Sequence, residues 1–405
     1  MKCAEFMKLS NEWSGNVCLF GAGQIGRTWA YELIRSAGFR ISFYCDNNKA
    51  GEFVNGLEVR PAEYLYANSS GMICFITVGE PIATQIREQL EQHGITDLFV
   101  VNDVNFINEL ARYRDENPEA GFDSRLCGIL SDEWWISRQF KDVFGFLPDL
   151  RKPKTMNEKI QWLKLHDRKP EYGILADKYR VREYIGQRFG EEYLVPLLYA
   201  TPDYRDITAE NIPDRHCIVK SNCSSHDYEI IRSKEHVDWN RLQQRYKKVM
   251  ESNFYYVARE WCYKDIKPMI LVEELLETED GKIPNDYKLH FFNGECEFIY
   301  CAIDREGMNY RKVYDMEWNE LPFDWSTSDK RHVPKSGPGI PRPKSFRDML
   351  RIGSEIARDK PYVRVDFYDV DGKLYCGEIT LYHGAGYDRF IPEEYDGIYG
   401  RKLVI

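Results

Sequence analysis

Near its carboxyl end the sequence reads VRVDFYDVDGKLYCGEIT, Val363 to Thr380, with apolar and polar residues alternating on either side of an Asp-Gly pair. Such alternation around a turn signal is the pattern of a β-hairpin. Its chemical interest is that each strand carries a carboxylate, Asp366 and Glu378, with Arg364 two residues before the first. Paired carboxylates are hard oxygen ligands of the kind that hold a metal ion. Whether they meet depends on the turn. A two-residue turn at Asp371-Gly372 pairs Val370 with Lys373 and sends Asp366 and Glu378 to opposite faces. A three-residue loop, Val370-Asp371-Gly372, pairs Asp366 with Cys376 and Arg364 with Glu378, and gathers Arg364, Asp366, Glu378 and Thr380 on one face. That shared face is either a surface salt-bridge ladder or half of a metal site.

Other residues invite chemistry. GAGQIG, with Gly21, Gly23 and Gly26, follows an apolar strand pattern and opens a helical one, and Asp46 lies twenty residues past Gly26 at the end of the next strand pattern. Glycines in that place let backbone N–H groups approach a phosphate, and an acidic residue about 20 positions on suits a ribose. The bland alternative is that the glycines serve only a tight turn. Lys220 ends the apolar run CIVK and precedes a polar stretch, a placement that favours a phosphate ligand over solvated surface. Thr155 followed by Glu158 reads as a capping box for a helix starting at Met156, and no catalysis is assigned to it.

These groups need elements to hold them. From Asn16 to Asp103 strand and helix patterns alternate: NVCLF, a helix over Ile25 to Ala37, RISFYC, MICFITV, a helix over Ile82 to His93, then DLFVV. That alternation predicts a parallel sheet covered by helices. The polar run RYRDENPEAGFDS reads as a linker, after which strand patterns such as MILVEELL and KLHFF predict an α+β region. The division expected is 1–112, a linker over 113–133, and 134–405. With 405 residues, 55 basic and 65 acidic side chains and a formal charge of −10, no overall field draws the chain to nucleic acid or an anionic membrane. No apolar run approaches the roughly 20 residues that span a bilayer, and MKCAEFMKLSNEW lacks a secretion signal's apolar core, so the expected location is the cytoplasm. The eleven cysteines are scattered without a C-x-x-C, several within strand patterns, and read as small buried hydrophobes; no structural zinc is expected.

Two resemblances bear on these readings. FGAGQIG, CDNNKAG and FITVG make the first region similar to the small N-terminal sugar-nucleotide-binding domain of bacterial sugar acyltransferases, which implies a Rossmann-like fold and a nucleotide-sugar or vestigial role; no proton-transfer residue for a nicotinamide dehydrogenase is evident. KPKTMNEKIQWLKLHDR, ADKYRVREYIG, EEYLVPLL, ILVEELLE, NDYKLHFFNG, the hairpin and EEYD make about two thirds of the chain resemble the ATP-grasp superfamily, in its teichuronopeptide-biosynthesis-like branch. That likeness implies two α+β lobes gripping ATP and Mg²⁺, and an acylphosphate captured by an amine. It implies Lys178 and Lys220 on the ATP phosphates, Glu273 on the adenine amine, the Leu276 N–H on an adenine ring nitrogen, Asp286 on the ribose and Lys288 toward the phosphates. Asp366 and Glu378 would hold Mg²⁺ with Thr380, where relatives often have asparagine, and Arg364 would steady the acylphosphate or oxyanion. Arg305 and Arg311 would add positive charge, and Gly384 and Gly386 would form a close-approach loop for substrate. Two departures stand out. The loop after Lys220, SNCSSHDYEI, has no glycine, leaving Ser224 and Ser225 as donors and His226 as a loop histidine. His383 occupies a place where relatives commonly have proline. The expected activity is ATP-dependent ligation of a carboxylate, such as a uronic acid, to an amine in surface-polysaccharide synthesis. A glycan kinase and a non-catalytic nucleotide-sugar-binding scaffold are the rivals, and the oligomeric state is not legible.

Overall fold

The strand and helix alternation of the first hundred residues becomes a parallel sheet in the computed structural model, which describes residues 2–224, 227–327 and 335–405. Contacts divide the chain into Met1–Trp135 and Ile136–Ile405. In the first unit the strands are β1 (Asn16–Phe20), β2 (Arg40–Cys45), β3 (Phe53–Val54), β4 (Leu57–Arg60), β5 (Ile73–Ile76) and β6 (Leu98–Val100), in the order β3-β4-β2-β1-β5-β6. All neighbours are parallel except the β3–β4 pair. Cys18, Phe20, Cys45, Cys74 and Ile76 pack one face against Leu65 and Leu90. Phe6, from the helix Lys2–Glu12, fills the other beside Phe39, Phe75, Phe99 and Phe106. All eleven cysteines are free thiols, as their apolar settings indicated.

Two local expectations change. The helix predicted over Ile25 to Ala37 is broken into Gln24–Arg27 and Trp29–Ser36 at Thr28, whose backbone leaves the helical region. Its hydroxyl donates to the Gln24 carbonyl at 2.6 Å, the kind of local bond by which threonine competes with the helix. The segment read as a linker carries the end of the helix Asn105–Glu116, a helix Ser124–Ile129 capped by Asp123 and the start of the helix Asp132–Phe144. Leu126 and Ile129 are buried there, a pattern too short to stand out among the surrounding polar residues.

Among the described residues the second unit holds three sheets. β7 (Leu197–Thr201), β8 (Cys217–Ser221), β9 (Tyr228–Ile231) and β10 (Ile270–Glu274) form an antiparallel sheet in the order β7-β10-β8-β9. β11 (Asp286–Phe292), β12 (Glu295–Ile303), β13 (Tyr310–Tyr314), β15 (Tyr362–Val370) and β16 (Lys373–Thr380) form a second, ordered β13-β12-β11-β15-β16, and β14 (Asp324–Thr327) pairs with β17 (Arg389–Ile391). The apolar side of the five-stranded sheet is covered by the helix Phe346–Ala357, where a Cβ on Gly353 would collide with the Phe291 ring. The Thr155 capping box forms as predicted, starting the helix Met156–His166. The EEYD motif folds back onto that helix, and the Asp396 carboxylate accepts from the Asn157 N–H at 2.9 Å. Among the described residues no helix is long and apolar enough to cross a membrane.

The hairpin turn corrects the register that the metal reading required. The three-residue loop does not form: Val370 pairs with Lys373 across a two-residue turn, with Asp371 at φ 55° and Gly372 at φ 103°. Both positive angles belong to the type I′ turn, which Asp-Gly favours. Asp366 and Glu378 still share a face, because the register shifts between Asp366 and Phe367 and Asp366 comes to lie opposite Glu378, with Arg364 opposite Thr380. The extra residue is Gly377, and a glycine inside a strand pattern is the usual mark of such a bulge. A Cβ there would sit 2.8 Å from the Tyr368 ring and 3.3 Å from the Asp366 carbonyl. Gly377→Ala is therefore expected to lower stability by about 1–3 kcal/mol in urea melts. Gly128→Ala, with nothing within 4 Å of the added carbon, is the control expected to stay close to the parent.

Candidate active site

Lys288 on β11, Asp366 on β15 and Glu378 on β16 lie side by side across the five-stranded sheet, with His290, Arg364 and Thr380 in the next row. The Lys288 ammonium is 2.6 Å from both Asp286 Oδ2 and Asp366 Oδ2. Arg364 grips Asp366 with two donors, Nε at 2.6 Å and Nη2 at 2.8 Å, and Nη2 also reaches Glu378 at 3.4 Å. Lys178 closes the group from outside the sheet, 3.2 Å from Glu378 Oε1. Asp286, Arg364 and Asp366 are buried, so these charges attract with little screening by solvent.

Burial alone would raise the Glu378 carboxyl, but Lys178, Arg364 and Lys288 draw it down to about 2. The same competition leaves Asp286 lowered, with Lys288 and Arg305 outweighing burial. For Asp366 burial pushes upward while Arg364 and Lys288 pull back. Glu378 has a folded pKa below its ordinary 4.5, so its contribution to stability is complete above about pH 4.5 and is lost as pH falls toward about 2. Urea midpoints should decline across that window, and Lys178→Met should flatten the decline. A parent midpoint that is flat from pH 5 to pH 2.5 would contradict the depressed Glu378.

The four-stranded sheet supplies the other residues. Lys220 on β8 and Glu273 on β10 point to one side and pair at 2.6 Å, while Arg182 donates to the other Glu273 oxygen at 3.1 Å and to the Val195 carbonyl at 2.8 Å. Both Glu273 oxygens thus hold cations in this structure. The N–H groups of Glu274 and Leu275 go to the Pro196 and His216 carbonyls, and the next, that of Leu276, has no acceptor among the described residues. Lys178 donates to the Ser224 carbonyl at 2.8 Å, and Ser224 Oγ lies 2.5 Å from Ser221 Oγ. Ser225 and His226 lie outside the described residues. Arg305 sits over the Tyr368 ring and in the field of Asp286, whereas Arg311 donates to the carbonyls of Asn309 and Tyr310.

The expected substrate loop HGAG has another evident use. Gly384 and Gly386 have φ of 52° and 70°, and a Cβ on Gly386 would strike Gln161. Gln161 and Lys164, buried on the helix Met156–His166, donate to the carbonyls of Gly386 at 2.7 Å and Ala385 at 3.0 Å. The loop is packed against that helix at Gly386, while a Cβ on Gly384 would meet the Asp388 carboxylate.

Several residues beside the site escaped sequence reading. Arg182 belongs to ADKYRVREYIG but carries no signal of its own. Asn222 clamps the Lys178 and Lys220 segments together, donating to Asp177 at 2.9 Å and the Lys267 carbonyl at 3.0 Å, accepting from the Met269 N–H at 2.7 Å, and receiving the Lys178 N–H on its own carbonyl. Its place two residues after Lys220 was the available clue. Glu260 is buried within the field of Lys164, Glu378, Arg364 and Lys178, and burial pushes its carboxyl up to about 7.

In the first unit, Gly21 has φ 112°, and a Cβ on Gly26 would collide with the Gly21 carbonyl, so both glycines are required by the turn itself. Gly23 faces open space. Asp46 Oδ2 accepts from the Ala22 N–H at 3.0 Å, and Lys49 donates to the Ala22 carbonyl at 3.0 Å. Strand order reverses between β1 and β5, the place where open parallel sheets bind ligands, and this turn lies there at the β1 carboxyl end.

Asp366 and Glu378, with the Thr380 side chain on their face, are the residues suited to Mg²⁺. Among the described residues no three or more of His, Cys, Asp and Glu gather as a metal cage. Two carboxylates with nucleotide phosphates completing the shell is the usual Mg²⁺ arrangement. The buried Asp286 Oδ1 is an acceptor with no partner among the described residues.

The two antiparallel sheets of the second unit fit the paired α+β lobes that the ATP-grasp resemblance implied. The chain belongs to the TupA-like ATP-grasp family, whose model matches residues 158–404, more than half of it. No match was found among curated proteins. Among solved structures, D-alanine–D-alanine ligase from Bacillus anthracis complexed with ATP is 11% identical, covering 90% of this chain and 84% of its own, at a TM-score of 0.28. The ATP-grasp ligase PsnB, complexed with a phosphomimetic variant of its minimal precursor, Mg and ADP, is 10% identical, covering 96% and 97%, at 0.34. Scores this low assign nothing to the chain.

Proposed function

We propose that the protein is an ATP- and Mg²⁺-dependent ligase that joins a carboxylate to an amine through an acylphosphate, with ATP between the four-stranded and five-stranded sheets. The observation that carries this reading is the ring of Lys178, Lys288 and Arg364 around Asp366 and Glu378. Three cations face three carboxylates, counting Asp286, so the site is balanced as it stands and a polyanion must bring its own counter-ions. Mg²⁺, held by Asp366, Glu378 and Thr380, would supply charge neutralisation of the phosphates.

With Asp366 and Glu378 as its ligands, the metal would leave Lys178 and Lys288 free to pair with the phosphates. Lys220, on the opposite sheet, reaches them from the other side, and Leu276 offers its N–H to the adenine. Asp286 suits the ribose and Glu273 the adenine amine, the latter by exchanging one of its two present cations. Ser224 and Ser225 would stand over the phosphates. Arg364, freed on its Asp366 edge, presents a guanidinium to the acylphosphate and to the oxyanion formed when the amine attacks. A kinase hands phosphate to a neutral hydroxyl and has less need of a cation beside the acceptor.

For the acid we propose a uronic acid of a surface polysaccharide or its nucleotide sugar, on the strength of the family's branch. The domain division we propose keeps the first region, 1–112, as a separate Rossmann-like binding module. The sheet reversal beside Gly21, Gly23, Gly26 and Asp46 supports a crevice there, and since Asp46 takes the Ala22 amide, a sugar hydroxyl suits it better than a phosphate.

The test is product analysis by phosphorus NMR and mass spectrometry with Mg·ATP, uronic acids and amines. ADP, free phosphate and an amide are expected. A stable phosphorylated sugar formed without amine would establish the kinase, and no nucleotide turnover with any acid would favour the scaffold.

A further inference from the structure

Arg364 is held from two sides. Its Nε and Nη2 donate to Asp366, and its Nη1 meets Nδ1 of His383 at 2.9 Å. The imidazole is fixed in turn. Its Nε2 lies 2.8 Å from the Trp325 carbonyl, its ring centroid is 4.2 Å from that of Trp325, and only 5% of the residue is exposed. A carbonyl only accepts and a guanidinium only donates, so Nε2 carries the proton and Nδ1 the lone pair. His383 is a neutral acceptor. Burial and the Arg364 charge hold its pKa well below the ordinary value, in keeping with that tautomer.

The backbone after His383 is built to keep the ring there. Ala385 adopts a left-handed conformation at φ 53°, costly for a residue with a side chain. Such strain persists when surrounding contacts over-determine it, and here Gln161 and Lys164 both bond the Ala385 carbonyl at 3.0 Å. Two buried polar side chains of one helix thus fix the turn that carries His383.

We propose that His383 is the positioning residue for Arg364: an uncharged anchor that sets the guanidinium's orientation from behind and leaves its positive charge whole for the anion at the reacting carbonyl. The inference rests on the ligase reading of Arg364. Were Asp366 to serve as a metal ligand, the bonds on that edge would weaken and the His383 bond would remain. An aspartate in this place would neutralise the arginine. An alkyl group would release it toward Glu378, already 3.4 Å from Nη2.

The test uses the full chain, with Mg·ADP as one probe and Mg·ADP plus aluminium fluoride, a mimic of the transferring phosphoryl group, as the other, both by calorimetry. His383→Ala should keep the Mg·ADP affinity within about twofold yet weaken the aluminium fluoride complex about tenfold or more, the scale of a hydrogen bond to a charged group. His383→Asn places an acceptor near the Nδ1 position and should stay within about threefold of the parent for both probes. Equal affinities for parent and His383→Ala, an equal loss for both probes, or a failure of His383→Asn as complete as that of alanine would each overturn the inference and leave the ligase reading standing. A parent chain that binds no Mg·ADP would overturn both.

Discussion

Asp366→Asn is expected to leave a folded chain whose ATP-dependent turnover falls by about 10³-fold, the scale on which a preorganised electrostatic partner of the transition state is lost. Asparagine keeps the shape and one acceptor but removes the charge that must stand against Mg²⁺ and the phosphates. The substitution also leaves Arg364 and Lys288 facing a neutral group, and both now pair with Asp366 at 2.6 Å. A stability loss of about 2 kcal/mol should accompany it, as for a buried hydrogen bond to a charged group. Turnover with saturating substrates and a urea melt separate the two effects. Full turnover would remove Asp366 from the metal role, and the ion-pair cluster would then be structural.

Lys220→Ala carries the second large effect. Nucleotide affinity should fall about 10²-fold, because a charge-assisted contact to phosphate is lost in a partly buried setting. Lys220 is also one of two cations on the buried Glu273 carboxylate, which would keep Arg182 alone. Glu273→Gln removes that charge in a different way, so the double substitution shows whether the loss comes from the phosphate or from an uncompensated carboxylate. Unchanged affinity of Lys220→Ala in calorimetry would count directly against the assignment.

Periodicity made the strands legible. Apolar runs such as NVCLF and MILVEELL became β1 and β10, and the alternation in the hairpin put Arg364 with Asp366 on one strand face and Glu378 with Thr380 on another. Register was less legible. Asp371-Gly372 argued for a two-residue turn, and the shared face argued for an odd residue; both held because the odd residue is Gly377, inside the strand. The unheeded clue was a glycine amid strand formers. What stayed hidden is chiefly what sequence distance hides. Arg182 meets Glu273 across 91 residues, and Asn222 meets Asp177 across 45. Arginine and asparagine are common enough that neither announces a partner so far away. His383 drew notice only as a departure from proline, and its bond to Arg364 requires the turn that Gln161 and Lys164 hold.

The most direct measurement of the central claim is a crystal structure of the chain grown with Mg·ADP. The predicted result is the nucleotide between the four-stranded and five-stranded sheets, with the metal against Asp366 and Glu378 and with Lys178 and Lys288 turned from those carboxylates to the phosphates. A nucleotide seated elsewhere, or one bound there with the Lys178–Glu378 and Lys288–Asp366 pairs still closed, would contradict it.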